Sequence, residues 1–589
     1  MGSPLVRAAF AALVGATIAV FFVTQQLKGE FPLVLRFAVA PKAISPNGDG
    51  VRDGAIVGFD LSEPATVSFS VVDSEGSDVR RLVDDRRLAG DTKHRFFWNG
   101  RDDAGRRVPD GIYRLRLVRR DEGRVINSFK ELRVDTRPPR VELSSARPGV
   151  IAPGDPGRHP RVAIRYRGLR NGAPEFRIFR TDDGSPRVVA RFRGNDKRMG
   201  LWRGHIRGHP AVDGDYAFTV TIRDGAGNRG VAPAEIPTAE LALPGTGVSV
   251  RHLTLLGPVG VLRAGSPAVL EVGPYPRGFE FALSRLGSKR IVKRGSRFGG
   301  RFRVRVPPRA RTGVYLLRVR ARRRRAVWPL AVEGRPQARG PRPLVVLPVV
   351  SWEGLNRFDD DLDGFAETLQ DSRSVRLERP FARGRPPPLY DSQATPLLRF
   401  LDREKLPFDL TTDVSLDRGE HPSLARAPGA ALAGSARWLT PTSLRGLQRY
   451  VKDGGRLASF GADALRRSVR LNAGVLRDPT AARPENALGE RTRLLRASPA
   501  PLAVERDRIG LFDERFVGEF SIFERSMALP PGARRLAAAG RDPGQPAFVV
   551  YRLGRGLVLR VGTPQWSAAL PEGAVAGVTR HIWSLLQRG

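Results

Sequence analysis

Two hydrophobic patterns follow one another along the chain, and each predicts a different kind of domain. From about residue 31 to residue 335, apolar and polar residues alternate in short runs, for example at 65–72, 113–118 and 216–222. This period of two, broken by turn residues, predicts β-strands that bury one face. After residue 344, apolar residues at helical spacing alternate with short apolar runs, which predicts a parallel sheet covered by helices.

The predicted parallel sheet centres on residues 390–463. Thr395-Pro396 and Thr440-Pro441 each predict a helix start, because threonine is a good N-cap and proline suits the first helical position. Four apolar runs predict the strands, namely residues 344–350, 408–410, 430–433 and 456–460. Parallel sheets bind ligands beyond the carboxyl ends of their strands. The candidate binding loops are therefore residues 411–413, 434–438 and 461–463.

A repeated motif divides the β-rich half into three units. Gly111-Ile-Tyr113, Gly214-Asp-Tyr216 and Gly313-Val-Tyr315 each open a strand, at intervals of about 100 residues, the size of one immunoglobulin-like (Ig-like) sandwich. Each phenol is expected to reach back to the backbone at the strand entry. The predicted domains, in order, are a terminal segment 1–30, sandwiches 31–140, 141–243 and 244–335, a Pro/Gly/Arg linker 336–343, and an α/β domain 344–589.

The N-terminus predicts export. Residues 8–24 carry no charge, and as a helix they would span about 25 Å, close to the thickness of a hydrocarbon core. An uncleaved membrane anchor is favoured over a cleaved signal peptide, and that choice stays open. Either way, the bulk of the chain is expected to be extracytoplasmic, held at the cell membrane by one span or secreted.

Composition narrows the chemistry. The formal net charge is +39, carried mainly by arginine, which predicts attraction to anionic polymers or membrane surfaces. No basic segment sits beside a nucleic-acid-binding motif, so nucleic acid is not an expected partner. The chain has no cysteine, which excludes disulfides, thiolate metal sites and cysteine nucleophiles.

An acidic loop at the start of the α/β domain matches the first half of a calcium loop. Its aspartates occupy positions one, three and five, and Gly364 at position six permits the sharp turn. Position twelve is Gln370 instead of the usual bidentate glutamate. The acidic loop has two interpretations: it binds a structural calcium ion, or it is a solvated loop without a metal. The candidate ligands are Asp359, Asp361, Asp363 and Glu367.

A second acidic turn opens the first sandwich. The segment 44–53, ISPNGDGVRD, looks like the SPNGDG-x-x-D opening of bacterial surface Ig-like modules. Asn47, Asp49 and Asp53 place three oxygen donors within one turn, a ligand set that calcium prefers. Asn-Gly and Asp-Gly also form turns without any metal. Calcium and a plain turn therefore remain equal alternatives.

The first two sandwiches resemble a known module. Residues 97–105, FWNGRDDAG, followed by 108–113, VPDGIY, resemble the Ig-like module of flagellar hook-capping proteins. Residues 202–204 and 212–216 form a weaker copy, followed by RDGAGN at 223–228. Such modules are spacers and binders in exported bacterial proteins, and the resemblance implies no flagellar role.

The α/β region resembles the C-terminal domain of the large subunit of N,N-dimethylformamidase. The matching segments are FLDRE at 400–404, DLTTD at 409–413, YVKDGGRL at 450–457, FG at 460–461, GRGLV at 554–558 and GTPQW at 562–566. The resemblance implies a glutamine-amidotransferase-like, flavodoxin-type architecture. It also implies amide hydrolysis at a mononuclear iron held by tyrosines and a glutamate.

This chain departs from that family at the site. The family's glutamate lies in a His-x-Glu-Tyr-Trp segment, and the corresponding residues 434–438 read GSARW, with no carboxylate or histidine. No transition metal is therefore expected, and the α/β domain is expected to be catalytically degenerate. The residues expected to remain in a ligand-binding cleft are Tyr390, Asp413, Arg437, Trp438 and Asp463.

These observations favour a membrane-anchored surface protein that is not an enzyme. Its Ig-like spacers would carry a degenerate dimethylformamidase-like domain that binds an envelope component, such as an anionic polymer. The alternative is an exported amidohydrolase that acts on amide C–N bonds with a rearranged metal site.

Overall fold

The computed structural model describes residues 4–27, 33–155, 161–169, 173–195, 197–274, 278–335, 339–571 and 573–588. Strands dominate these residues, after one N-terminal helix. Three β-sandwiches follow the helix, and a larger domain that mixes helices with a nine-stranded sheet completes the described chain.

Helix α1, Pro4–Leu27, stands apart from the folded domains. Its segment Pro4–Thr24 has a mean hydropathy of 2.2, and none of it is buried against the protein. Among the described residues, this is the one helix long and apolar enough to cross a membrane. An N-terminal helix with these properties fits a membrane span and also fits a signal sequence.

The first sandwich encloses its own core. Strands β1 to β9 are Val34–Ala40, Ala43–Ile44, Ala55–Leu61, Ala65–Val72, Asp78–Leu88, Thr92–Trp98, Gly111–Arg119, Arg124–Asn127 and Leu132–Val134. One sheet has the order β1-β3-β6, and the other has the order β2-β9-β7-β4-β5, with β8 paired to β7. The first half of β4 alternates inward and outward positions, as predicted, and β3 and β4 bury Phe59 and Phe69.

The second sandwich repeats this arrangement. Strands β10 to β20 are Val141–Arg147, Val150–Ile151, Val162–Gly168, Glu175–Arg180, Arg187–Arg193, Met199–Trp202, His205–Ile206, His209–Pro210, Gly214–Arg223, Arg229–Ala232 and Val248–Val250. The sheets have the orders β10-β12-β15 and β11-β20-β18-β13-β14. Strand β20 completes the second sheet, so this sandwich extends past the expected boundary at residue 243.

The third sandwich is smaller. Strands β21 to β28 are Thr254–Leu256, Leu262–Arg263, Pro267–Gly273, Phe279–Arg285, Ile291–Arg297, Arg301–Arg305, Gly313–Ala321 and Arg324–Glu333. They form sheets in the orders β21-β23-β26 and β22-β28-β27-β24-β25.

The repeated tyrosine performs the same task in all three sandwiches. The hydroxyl of Tyr113 donates a hydrogen bond to the carbonyl of Pro109 at 2.8 Å, four residues back. Tyr216 bonds the Val212 carbonyl at 2.9 Å, and Tyr315 bonds the carbonyl four residues before it at 3.2 Å. The prediction that each phenol reaches back to the backbone is confirmed, and it identifies a tyrosine corner in each sandwich.

The last domain contains strands β29 to β42 and helices α2 to α6. The strands are Leu344–Leu347, Ser374–Arg376, Asp409–Thr412, Ala430–Leu432, Trp438–Leu439, Arg456–Ser459, Arg467–Ser468, Arg470–Asn472, Val475–Arg477, Arg491–Asp507, Phe516–Ala528, Arg534–Gly540, Phe548–Leu553 and Gly556–Arg560. The helices are Val349–Leu355, Thr395–Arg403, Asp413–Asp417, Pro441–Lys452 and Gly573–Gln587. Short 3₁₀ helices lie at Ala382–Gly384 and Leu424–Arg426, and a π-helical turn lies at Tyr390–Ala394.

Nine of these strands form one sheet with the order β31-β29-β32-β34-β42-β41-β40-β38-β39. The first five run parallel to one another; four of them, β31, β29, β32 and β34, were predicted from the helix–strand repeat, and β42 was not. The other four strands continue the sheet in antiparallel fashion. The sequence pattern did not predict this antiparallel extension.

Two local predictions in this domain are wrong. The apolar run 344–350 is not one strand, because β29 ends at Leu347 and helix α2 begins at Val349. The proline between them has no N–H to continue the strand's hydrogen bonding. Thr395 does not cap its helix either, because the π-helical turn precedes it and its N–H already donates to the Tyr390 carbonyl. Thr440 does cap α5, accepting from the Ser443 N–H.

The third sandwich and the last domain share one hydrophobic core, whereas the first two sandwiches each have a separate core. The ring of Trp328 in the third sandwich stacks on Phe381 at a centroid distance of 4.7 Å. The Val261 N–H donates to the Ser415 hydroxyl at 2.9 Å, and Arg285 pairs with Asp402 across the same interface. The third sandwich and the last domain therefore form one structural unit.

Candidate functional site

The carboxyl ends of the parallel strands β31, β32 and β34 meet at one edge of the large sheet. The loops 434–438 and 461–463 approach each other here. A Cβ atom on Gly461 would lie 2.5 Å from the carbonyl carbon of Gly434, so only glycine permits this close approach. At this edge of the sheet the backbones of the two loops are therefore in direct contact.

Asp413, which follows β31, is enclosed at this edge. It is 1% exposed, and both of its carboxylate oxygens accept from the Val350 N–H at 3.2 Å. Burial raises the pKa of this carboxyl to about 8, although the N–H groups at the start of α2 oppose the shift. In this geometry Asp413 holds the first turn of α2.

Arg437 and Asp463 do come together, as part of a charged cluster. The guanidinium of Arg437 lies 3.7 Å from the Asp463 carboxylate. That carboxylate also pairs with Arg466 at 3.3 Å and with Arg467. Three arginines therefore surround one aspartate.

A buried triad that the sequence reasoning missed lies directly behind this cluster. The Asp463 N–H donates to Glu524 at 2.9 Å, and Glu524 also accepts from the Thr492 hydroxyl at 2.8 Å. Arg560 lies 3.6 Å from Glu524 and pairs with Glu490 at 2.7 Å. Glu524 lies on the antiparallel strand β39, Glu490 just before β38 and Arg560 on β42, and nothing in their sequence spacing signals that they meet.

Trp438 and Tyr390 line separate clefts. Trp438 is 2% exposed, Arg467 lies 5.7 Å from its ring centre, and it faces a cleft formed with residues 369–373 and 478–482. Tyr390 is 1% exposed and packs edge-on against Trp352 at 5.4 Å. It lines a different cleft, between the third sandwich and the last domain. The five predicted cleft residues therefore do not surround a single cavity.

The acidic loop does gather its carboxylates. Single oxygens of Asp359, Asp361, Asp363 and Glu367 all lie within 4.8 Å of one another. Burial raises the pKa of Asp359 to about 8 and that of Glu367 to about 9, and the neighbouring carboxylates add to both shifts. This is a close group of hard oxygen donors of the kind that Ca²⁺ binds.

The acidic loop also docks onto the second sandwich. The N–H groups of Gly245 and Gly247 donate to the carbonyls of Asp361 and Leu362 at 3.0 and 2.8 Å. The Arg251 guanidinium donates to the Asp359 carbonyl at 2.7 Å and lies 3.5 Å from the centre of the Phe358 ring. The loop therefore joins the second sandwich to the last domain.

Arg379 supports the acidic loop from inside the domain. Its side chain is 1% exposed and pairs with Glu353 at 3.4 Å and Asp360 at 3.1 Å. It also donates to the carbonyls of Phe358 and Glu367, at 3.1 and 3.2 Å. These contacts bridge the two ends of the loop and fix its shape.

In the turn at Asn47, Asp49 and Asp53, the side-chain oxygens accept hydrogen bonds from backbone N–H groups of the same turn. The Asp53 carboxylate accepts the N–H groups of Gly48 and Gly50 at 2.7 and 2.8 Å. The Asn47 and Asp49 side chains accept the N–H groups two residues ahead. Hydrogen bonds of this kind are typical of Asn-Gly and Asp-Gly turns.

The two histidines of the last domain have other partners. His421 lies 2.9 Å from Glu333 of the third sandwich, and His581 contacts the Leu511 carbonyl at 2.9 Å. Within the described residues, neither forms a hydrogen bond with a serine. A serine–histidine pair of the kind that activates a nucleophile is therefore not assembled from them.

Two family models match parts of the chain. Residues 299–498 match the family described as N,N-dimethylformamidase beta subunit-like, C-terminal, and residues 45–123 match the FlgD Ig-like domain. Both resemblances are confirmed over these residues, and the matches do not extend to the second sandwich or to the segments at 554–566. The first match begins in the third sandwich, before the expected residue 344, and ends inside β38, before the C-terminus. It therefore includes part of each unit that contributes to the shared core.

No curated protein matches the chain. Among solved structures, the native conformation of E. coli alpha-2-macroglobulin is 13% identical, with 50% of this chain and 22% of that one covered and a TM-score of 0.17. Beta-galactosidase from Bacillus circulans sp. alkalophilus is 12% identical, with coverages of 41% and 31% and a TM-score of 0.24. The human OSCAR ligand-binding domain is 20% identical, with coverages of 33% and 92% and a TM-score of 0.19. The chain spans less than a third of the length of the first two.

Proposed function

We propose that this chain is a membrane-anchored, extracytoplasmic surface protein whose last domain binds an anionic envelope polymer without catalysing a reaction. Helix α1 would be the anchor, and the first two sandwiches would be spacers. The last domain would retain the flavodoxin-type, glutamine-amidotransferase-like scaffold of the dimethylformamidase family as a binding platform. The parallel order β31-β29-β32-β34-β42 supports that assignment.

The cluster around Asp463 carries the proposal. A catalytic iron needs ligands that donate negative charge, and this edge of the sheet instead presents Arg437, Arg466 and Arg467 around Asp463, with the buried Glu524 4.0 Å from Arg466. A guanidinium cannot ligate a metal ion, and it repels one. The same positive charge attracts an anionic ligand.

Structural calcium in the acidic loop is a second part of the proposal. Asp359, Asp361, Asp363 and Glu367 supply four carboxylates within reach of one ion. Calcium there would neutralise their mutual repulsion and stiffen the joint between the second sandwich and the last domain. In this proposal the ion has no catalytic role.

The decisive experiment pairs metal analysis with a binding assay on the full-length chain in a non-ionic detergent. We expect no stoichiometric iron or zinc after purification from metal-supplemented medium. We also expect sedimentation with bacterial cell walls that weakens steeply between low and high salt, because exposed charge interactions are screened over about 8 Å at physiological ionic strength.

Two results would overturn this function. One bound iron or zinc per chain, with amide hydrolysis lost on changing Tyr390 to phenylalanine, would establish the exported amidohydrolase. Wall binding that is absent, or unchanged by salt or by chemical extraction of the anionic wall polymers, would remove the proposed ligand.

A further inference from the structure

We propose that the cleft between the third sandwich and the last domain, here called the arginine cleft, binds a chain segment of an acidic glycopolymer. This inference rests on the function proposed above and assigns to it a second site, separate from the cluster around Asp463. The arginine cleft has a volume of about 900 Å³, within the range of ligand sites. Its arginines are Arg294, Arg318, Arg320, Arg325, Arg383, Arg385 and Arg399.

The floor of the arginine cleft is the outer face of the sheet β22-β28-β27-β24-β25. Strand register places Arg294, Ala282, Arg318 and Val327 side by side in one row. The small side chain of Ala282 leaves room between the two arginines of that row. The next row, two residues along each strand, contains Ser296, Glu280, Arg320 and Arg325.

The opposite wall comes from the last domain. Residues 383–386, the π-helical turn and the first turns of α3 contribute Arg383, Arg385 and Arg399, and behind them lies Tyr390. The buried Tyr390 hydroxyl has no hydrogen-bond partner among the described residues. The cleft therefore presents positive charge from both domains beside a buried polar group.

Most of the positive charge of the arginine cleft is not neutralised within the described residues, although Arg383 pairs with Asp182 at 2.6 Å. Arg294, Arg325, Arg385 and Arg399 line it without any ion pair, and the carboxylates in its lining are Glu280 and Asp391. Arg320 and Arg325 lie directly opposite each other on adjacent strands. Like charges in this position destabilise a sheet. Glu280 lies opposite Arg320 on its other side and offsets part of this cost, and a bound anion would relieve the rest.

The spacing of the charges favours a ligand with repeated anionic groups. Arg294 on β25 and Arg325 on β28 lie three strand spacings apart, about 14 Å, which is too far for one small anion to bridge. Nucleic acid fits less well, because single-stranded nucleic acid binds through stacking on aromatic side chains. The aromatic residues of this lining, Phe281 and Tyr390, are buried.

The test replaces one arginine on each of three elements of the cleft, in the triple variant Arg294→Gln, Arg325→Gln and Arg399→Gln. The matched control is Arg301→Gln, Arg303→Gln and Arg305→Gln, which removes the same charge from exposed arginines on β26, in the other sheet of the third sandwich. Binding of the full-length chain in detergent is measured by fluorescence anisotropy with three labelled probes. The probes are oligogalacturonate for carboxylates, poly(glycerol phosphate) for phosphodiesters, and dextran as the neutral polymer.

We expect an acidic probe to bind the cleft variant about tenfold more weakly than the wild type, since three charge contacts are lost together. We expect the control to change affinity less than twofold and dextran not to bind. Whichever acidic probe binds more tightly identifies carboxylate or phosphodiester as the recognised group. Equal weakening in both variants would mean attraction by overall charge and would overturn the site.

The two proposals fail differently. If the wild type binds cell walls and acidic probes but the cleft variant binds them equally well, the ligand lies elsewhere, and only the assigned site is wrong. If the wild type binds neither walls nor acidic probes, the proposed function itself is wrong. If single-stranded DNA of equal charge binds more tightly than both acidic probes and is lost in the cleft variant, the glycopolymer class is wrong.

Discussion

At the scale of single residues, one tyrosine hydroxyl stabilises each sandwich through its hydrogen bond to the backbone. Replacing Tyr113, Tyr216 or Tyr315 with phenylalanine removes the bond to a carbonyl and leaves that carbonyl without its partner. We expect each change to lower the free energy of unfolding of its sandwich by about 1 kcal/mol. Thermal melting followed by circular dichroism measures this loss.

Tyr551 provides the control for that series. It is fully buried, and its hydroxyl has no partner among the described residues. Tyr551→Phe should therefore leave stability unchanged or raise it, because no hydrogen bond is broken and a buried polar atom is removed. Equal destabilisation by all four changes would show that ring packing, not the hydroxyl bond, is what matters.

Asp413 predicts a dependence of stability on pH. Its pKa rises from the ordinary 3.8 to about 8 on folding, so the folded protein retains a proton that the unfolded chain has lost. The contribution of this group is favourable at low pH and is lost as the pH rises from about 4 to about 8. Asp413→Asn carries no such proton, and we expect it to gain stability relative to the wild type over this range.

Melting temperatures of the wild type and Asp413→Asn between pH 5 and pH 9 test this prediction. The exposed Asp453→Asn is the control and should keep a constant difference from the wild type across the range. A constant difference for Asp413→Asn as well would show that this carboxyl does not titrate in the expected window.

At the scale of structural elements, the acidic loop predicts a response to calcium. Binding to the folded chain alone stabilises it, by about 2.7 kcal/mol at a hundredfold excess over Kd. We expect calcium to raise the melting temperature of the full-length chain and expect Asp361→Asn with Asp363→Asn to abolish the shift. Differential scanning calorimetry in chelated and calcium-containing buffer measures it.

The matched control removes two exposed carboxylates elsewhere in the domain, in Asp453→Asn with Asp478→Asn. This variant should respond to calcium like the wild type. A calcium response that persists in the loop variant would place the ion elsewhere, and the turn at residues 47–53 would be the next site to change.

At the scale of the whole molecule, the division of the cores predicts how the chain unfolds. The third sandwich and the last domain share one core, whereas the first sandwich has its own. Leu270→Ala in the third sandwich and Leu410→Ala in the last domain should therefore lower the same calorimetric transition, each by about 2–5 kcal/mol. Phe59→Ala should lower a different transition.

Separate transitions for Leu270→Ala and Leu410→Ala would contradict the shared core. That result would also affect the arginine cleft, because its two walls come from the two units that this core joins.

The sequence by itself determined the features that depend on local periodicity. Alternating runs predicted the strands of the sandwiches, and the Gly-x-Tyr repeat predicted the tyrosine corners, because both depend on residues close together in the chain. The helix–strand repeat likewise predicted four of the five parallel strands, and the spacing of Asp359, Asp361 and Asp363 predicted that their carboxylates would gather.

Only the tertiary structure decided which residues from distant parts of the chain lie next to one another. The residues at the ends of the parallel strands were expected to form one cleft, yet Asp413 is enclosed, Arg437 pairs with Asp463, and Trp438 and Tyr390 face different cavities. The triad of Glu490, Glu524 and Arg560 and the two walls of the arginine cleft join segments far apart in the chain. Packing of distant elements places such residues, and local pattern contains no information about it.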